Sequence, residues 1–328
     1  MDDLILKANK IYQANFDNIT KFERALFLSW YCSKGDCKFC YMSTQKDLIK
    51  EPMKARRSFA SIFAEAIISK ACGWEIEFLS GGYESFDLKE LRFITQNINK
   101  ITGKKQWLNI GTLSEDELEK FVPYIEGYVG TLECINPKLR NEICPSKPLS
   151  DIKETFKACD KFGLKKAVTV IIGLGETIED FINLKKFIEE NNISRITFYS
   201  LNPQKGTIFK ESPTIDYYEQ WIAKTRESFP KLHIVAGAWY NKIDYYGRLL
   251  KAGANNFTKF PVLKLFGSKY AKEILKEVSV AKRIFSGELI KLPKIDIKKE
   301  IDKLGVNDTL KNQIKNKIES YLSKMKKK

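Results

Sequence analysis

The chain has 328 residues, 43% of them hydrophobic, and its 56 Lys and Arg outnumber 41 Asp and Glu for a formal charge of +15. That is enough apolar material for one large core, and no apolar run approaches the roughly 20 residues that cross a bilayer, which argues against a membrane protein. Seven cysteines, an odd number with no secretory leader before them, argue against a disulfide framework and for a reducing, cytoplasmic setting.

The first 22 residues read as an N-terminal helical segment. From 23 to 260, short apolar runs at 25–31, 76–79, 107–110, 128–132, 167–172, 196–199 and 234–236 alternate with amphipathic stretches. The stretches at 58–71, 88–98, 152–162, 178–188 and 217–229 carry apolar residues at helical spacing. Thr177 with Asp180 three residues on has the form of a capping box, and Gly163 closes the helix before it. Seven or eight such βα units predict parallel strands in a TIM-type barrel, complete or partly open, with reactive groups on the loops that follow the strands.

Residues 261–328 read as a basic helical C-terminal extension, with helices expected at 271–285 and 308–325 and punctuation at Pro293 and Gly305. This stretch holds 18 Lys and Arg against 8 Asp and Glu, which leaves only +5 for everything before it. The excess charge is a property of the tail, which reads as a solvated lid or a pair of capping helices with a frayed basic end, KMKKK. Nucleic acid is not the expected partner, whereas a basic face would speed encounter with an acidic electron-donor protein.

Within WYCSKGDCKFCYMS, Cys32, Cys37 and Cys40 lie close enough to hold one metal centre and supply no fourth thiolate. Three thiolates around an iron–sulfur cubane leave one iron free for a substrate or cosubstrate. Structural zinc normally completes a tetrahedron with a second cysteine pair or with histidines, and the one histidine, His233, is far along the chain. Zinc or idle thiols are the alternatives.

The run CxxxxCxxC, with Phe39 before its last cysteine and Tyr41 and Met42 after it, resembles the CxxxCxxC signature of the radical S-adenosylmethionine (SAM) superfamily. Its first gap is one residue longer, which reads as a lengthened flexible loop. Ser80, Gly81 and Gly82 in IEFLSGGYES resemble the segment that binds the SAM amino group, where glycines let backbone carbonyls come close. GTLECINPKLRNEICP resembles the branch of biotin synthase and the hydrogenase maturase HydE, which implies that Glu133 faces the SAM ribose or methionine. VTVIIGLGET resembles the motif GxIxGxxE with Thr169 in place of the first glycine, which implies Ile171 beside the adenine, Gly173 at the turn and Glu176 after it. Without the resemblance these are a strand-ending turn, a solvated rim carboxylate and plain core. The widened gap is similar to that of the HmdB (HcgA) enzymes of iron-guanylylpyridinol cofactor biosynthesis, which are associated with a gap one residue longer still.

The resemblance covers about residues 23–260 and implies a 4Fe–4S cluster held by Cys32, Cys37 and Cys40, with SAM at the open iron. The implied chemistry is a 5′-deoxyadenosyl radical that takes hydrogen from a small-molecule substrate deeper in the barrel, fed by a low-potential donor such as ferredoxin or flavodoxin. Lys153, on the helix after the fourth strand, is the expected partner of the SAM carboxylate. Tyr199, Ser200, Asn202, Trp239, Tyr240 and Asn241, just past the later strand runs, are candidates to face the substrate. Cys72, Cys134, Cys144 and Cys159 form no tight second motif, which counts against a sulfur-inserting enzyme of the biotin or lipoyl synthase kind. That enzyme and a non-enzymatic iron–sulfur or RNA-binding protein are the alternative readings.

Overall fold

The computed structural model describes residues 2–326, so the last two lysines of the KMKKK run lie outside the described residues. Eight parallel strands form one sheet in which sequence neighbours are sheet neighbours. They are β1 (Glu23–Phe27), β2 (Glu75–Ser80), β3 (Gln106–Asn109), β4 (Ile125–Glu133), β5 (Lys165–Ile172), β6 (Arg195–Ser200), β7 (His233–Gly237) and β8 (Asn256–Thr258). The sheet curls until β1 meets β8, but the two join only where they begin. Phe22 bridges Phe257, the Lys21 carbonyl accepts from the Phe257 amide at 3.2 Å, and the Lys21 amide donates to Asn256 Oδ1 at 2.9 Å. The result is a nearly closed TIM-type barrel with a seam open toward the carboxyl ends of its strands.

Local chemistry sets the outer helices. Ser58 caps Phe59–Ala71, and Asp87 with Glu90 forms a capping box on Leu88–Thr102, which Gly103 ends at φ 70°. A cap of this kind stabilises a helix by about 1 kcal/mol. The Thr177 amide donates to Asp180 Oδ2 at 3.0 Å, as the spacing predicts, though the box opens a short 3₁₀ turn that runs into the helix Phe181–Glu190.

Three expectations are revised. The strand foreseen at 25–31 stops at Phe27 because the chain turns away to pair with 55–57: the Trp30 amide donates to Ala55 O at 3.0 Å and the Arg57 amide to Leu28 O at 2.8 Å. The helix foreseen at 271–285 is Lys269–Val280. Lys282 then takes φ 57°, and Ile284–Phe285 pairs in parallel with Ile19–Thr20. β8, which no apolar run announced, is three residues long. One connected apolar core runs through all three stretches of chain, from Ala8 through the barrel to Ile314, Ile318 and Met325 of the last helix, Asp308–Lys326.

The barrel interior carries charge in two layers. At the floor, Glu23 meets Arg195, His233 (3.1 Å) and Asn256 (2.7 Å), tying β1 to β6, β7 and β8. Burial pushes the Glu23 carboxyl up, but Arg195, His233 and Asn256 outweigh it and hold the group at about 2. Above it, Glu77 accepts from Tyr199 (2.6 Å) and Thr258 (2.5 Å), and burial together with the Glu23 charge raises its carboxyl above the ordinary value. Because the folded Glu23 titrates low, its contribution to stability is present above the usual carboxylate range and lost as pH falls toward 2. Glu77 has the opposite sign: its contribution is present at low pH and lost as pH rises through its raised value. In thermal melts from pH 2 to 8, E77Q should therefore flatten the high-pH side and E23Q the acid side. R195M, which leaves Glu23 buried without its main partner, should cost about 3–5 kcal/mol in urea titrations at pH 7.

Candidate active site

The loop after β1 crosses the barrel mouth and is tied to its neighbours by backbone bonds. The Ser33 amide donates to Tyr83 O at 3.1 Å beyond β2, and the Lys38 amide to Ile143 O at 2.9 Å beyond β4. The four residues between Cys32 and Cys37 are not a loose insertion. Lys34 Nζ donates to Ser146 O at 2.5 Å, the Ser146 amide donates to Asp36 Oδ2 at 3.1 Å, and Gly35 makes the bend at φ 47°. Cys32 and Cys37 are buried, and Cys40 is half-buried before the short helix Tyr41–Gln45.

All three thiols line one cavity of about 190 Å³. Of the residues singled out from sequence, Phe39, Ser80, Gly81, Gly82, Glu133, Ile171 and Tyr199 line it as well. Among the described residues, no three His, Cys, Asp or Glu side chains meet at a spacing that would hold a single metal ion. Gly82 is required by crowding: a methyl there would lie 2.5 Å from Cys32 Cβ, 2.8 Å from Cys32 Cα and against the Tyr31 carbonyl.

Glu133 ends β4 in the left-handed region, φ 58°, with Oε1 3.4 Å from Lys147 Nζ. Lys147 is the cation that sequence reasoning missed. Its loop, between Pro145 and Pro148, carried no motif, and the Arg140 guanidinium fixes it by donating to Lys147 O at 2.9 Å and to the carbonyls at the end of β4. Burial pulls the Lys147 ammonium down, but Glu133 and the thiols of Cys37 and Cys144 outweigh it and hold it above its ordinary value. The Cys144 thiol donates to Cys37, and with Lys147 this outweighs burial and brings Cys37 to about 7, while Cys144 itself rises. Burial raises Cys40.

Other expected residues stand elsewhere. Lys153 does not line the cavity; its Nζ is 5.9 Å from the Phe187 ring, in the outer helix layer, because its helix, Leu149–Lys161, turns that face toward Phe181–Glu190. Gly173 sits just beyond β5 at φ 108° and does not line this cavity; its amide and that of Leu174 donate to Glu176 at 2.6 and 2.8 Å. The glycine–glutamate pair of this motif thus locks a turn. Asn136 caps the helix Pro137–Ile143 through the Leu139 amide at 3.1 Å.

A second, larger groove of about 1430 Å³ opens at the seam between β1 and β8 and shares Cys40, Ser80, Ile171, Tyr199 and Lys259 with the thiol cavity. Tyr41, Ser200, Asn202 and Trp239 line this groove, whereas Tyr240 turns outward against Tyr270, with ring centres 5.7 Å apart, and Asn241 is exposed. Arg57, paired with buried Glu65 at 2.7 Å, forms part of its wall, as does Tyr321 of the last helix, whose hydroxyl is 2.7 Å from Ser61 Oγ. A third cavity of about 1000 Å³ lies at the opposite end, around His233 and Trp74, and contains none of the motif residues.

The family model described as the Radical SAM superfamily matches residues 31–188. An uncharacterized protein of Methanocaldococcus jannaschii is 42% identical over 336 aligned positions, covering 97% of this chain and 93% of that protein. The chain belongs to the radical SAM superfamily. Biotin synthase of Clostridium tetani is 28% identical, with 84% of this chain and 86% of that enzyme covered. Among solved structures, methylornithine synthase (PylB) superposes with a TM-score of 0.70 at 19% identity over 87% of this chain and 88% of that one. HydG, a maturase of the [FeFe]-hydrogenase, gives 0.66 at 14% identity over 99% and 82%. At these identities the two structures speak to the fold. As a radical SAM enzyme the protein uses a 4Fe–4S cluster and SAM, and the cavity fits them in its donor chemistry: three thiols line one cavity, and the missing side chain of Gly82 lets the Cys32 backbone pack close beside it.

G82A should push the cysteine loop out of place at a cost of about 1–3 kcal/mol. Iron and sulfide content after anaerobic reconstitution should fall well below the wild-type level while the circular dichroism spectrum stays that of a folded barrel. Full iron incorporation in this variant would contradict the crowding argument.

Proposed function

We propose that Cys32, Cys37 and Cys40 hold the cluster and that the enzyme acts on a small molecule admitted through the seam groove. The observation that carries this reading is that the thiol cavity and the groove share a wall, so a group generated in one lies beside the contents of the other. When bound, the cluster supplies the electron that cleaves SAM to a 5′-deoxyadenosyl radical. The backbone of Ser80, Gly81 and Gly82 receives the SAM amino group, Glu133 meets the ribose or methionine end, and Ile171 and Phe39 enclose the adenine side. Lys147 takes the role expected of Lys153, since it alone of the two lines the cavity. Gly173 acts at one remove by holding the turn after β5. Tyr199, Asn202 and Trp239 contact the substrate and exclude water from it.

Residues 23–260 carry the reaction, while 1–22 and 261–328 buttress the barrel and wall the groove. The electron donor is a low-potential protein of the ferredoxin or flavodoxin kind, met in a reducing cytoplasm that suits seven free thiols. The finer reading is cofactor biosynthesis, specifically the pyridinol part of the iron-guanylylpyridinol cofactor, the role of HmdB (HcgA). The relative from a methanogen and the widened cysteine gap support it.

Anaerobic incubation with SAM and dithionite should yield 5′-deoxyadenosine from the wild type, detected by chromatography and mass, and only background from Cys37→Ala. Equal yields from the two proteins would overturn the assignment of the thiols.

A further inference from the structure

Lys259, the first residue past β8, is held in the left-handed region at φ 72°. A side chain is strained there, glycine would relieve it, and strain kept at a cavity wall points to use of the side chain. The Lys259 ammonium lies 4.5 Å from the centre of the Tyr199 ring and lines both the thiol cavity and the groove. Arg57 and Lys147, cations of the same walls, are matched by Glu65 and Glu133, whereas Lys259 has no carboxylate partner among the described residues. Gly237 makes the room: a methyl there would lie 3.0 Å from Lys259 Cγ and 2.5 Å from Tyr199 Cδ1.

We propose that Lys259 forms an anion subsite that holds a carboxylate or phosphate of the substrate at the junction of the two cavities. Phe78, Ile171, Tyr199 and Trp239 around it are flat or apolar, so the substrate class is an aromatic or apolar acid. The inference rests on the reading that the groove admits the substrate, and it is tested by binding alone.

Benzoate and its neutral counterpart benzamide are the probes, titrated by ligand-observed saturation-transfer NMR against anaerobically reconstituted full-length protein. Benzoate should bind at least about 5-fold more tightly than benzamide. K259G should abolish that preference while its melting temperature stays equal or rises, because glycine removes the strain. If K259G does not fold, K259Q is read by the same criterion. Equal binding of the two probes by the wild type, or a preference that survives loss of the lysine, overturns the proposal. So does displacement of benzoate by SAM in direct competition, which would assign the cation to the cosubstrate's own carboxylate. Failure to form 5′-deoxyadenosine would sink the catalytic reading and leave this preference standing.

Discussion

The buried cluster of Glu23 with Arg195, His233 and Asn256 decides the shape of everything above it. It ties the first strand to the last three at the floor of the barrel, where β1 and β8 also exchange their few backbone bonds. Beyond that level the two edge strands part, and the gap becomes the groove. A barrel zipped along its whole seam would enclose its thiols behind side chains. One stapled only at its floor keeps a lateral entrance, with backbone groups at the rim that a ligand or water can satisfy.

Much of this was legible in the sequence because parallel strands share one polarity. Once the apolar runs alternate with helical ones, every residue just past a run falls at the same mouth, so Cys32, Gly82 and Glu133 could be brought together without a structure. Two signals failed for physical reasons. β8 is three residues of mixed polarity, Asn256–Thr258, too short for any periodicity. Lys147 and Lys259 belong to no motif; their importance is a matter of which loop reaches the cavity and of a backbone angle, neither of which residue type encodes. Lys153 has the expected helix position, but its helix turns that face toward Phe187 and away from the cavity.

The local motifs divide into those that touch the cavity and those that hold other residues in place. Gly82 belongs to the first kind, since its missing side chain is the space that the Cys32 backbone occupies. Glu176, Asn136 and Arg140 belong to the second: each binds backbone groups at a strand end or a helix start, and Asn136 also donates to Asp180 Oδ1 at 3.0 Å. A sequence pattern shared with a family can therefore mark a turn as readily as a ligand contact, and only the hydrogen-bond partners tell the two apart.

Tyr321, late in the last helix, helps to wall the groove, anchored to Ser61 on the helix Phe59–Ala71. A chain trimmed ahead of that tyrosine would keep all three thiols of the cavity while losing part of the groove wall and, with Met325, a piece of the core. Substitutions at Tyr321 can thus reshape the groove without altering any residue that lines the thiol cavity.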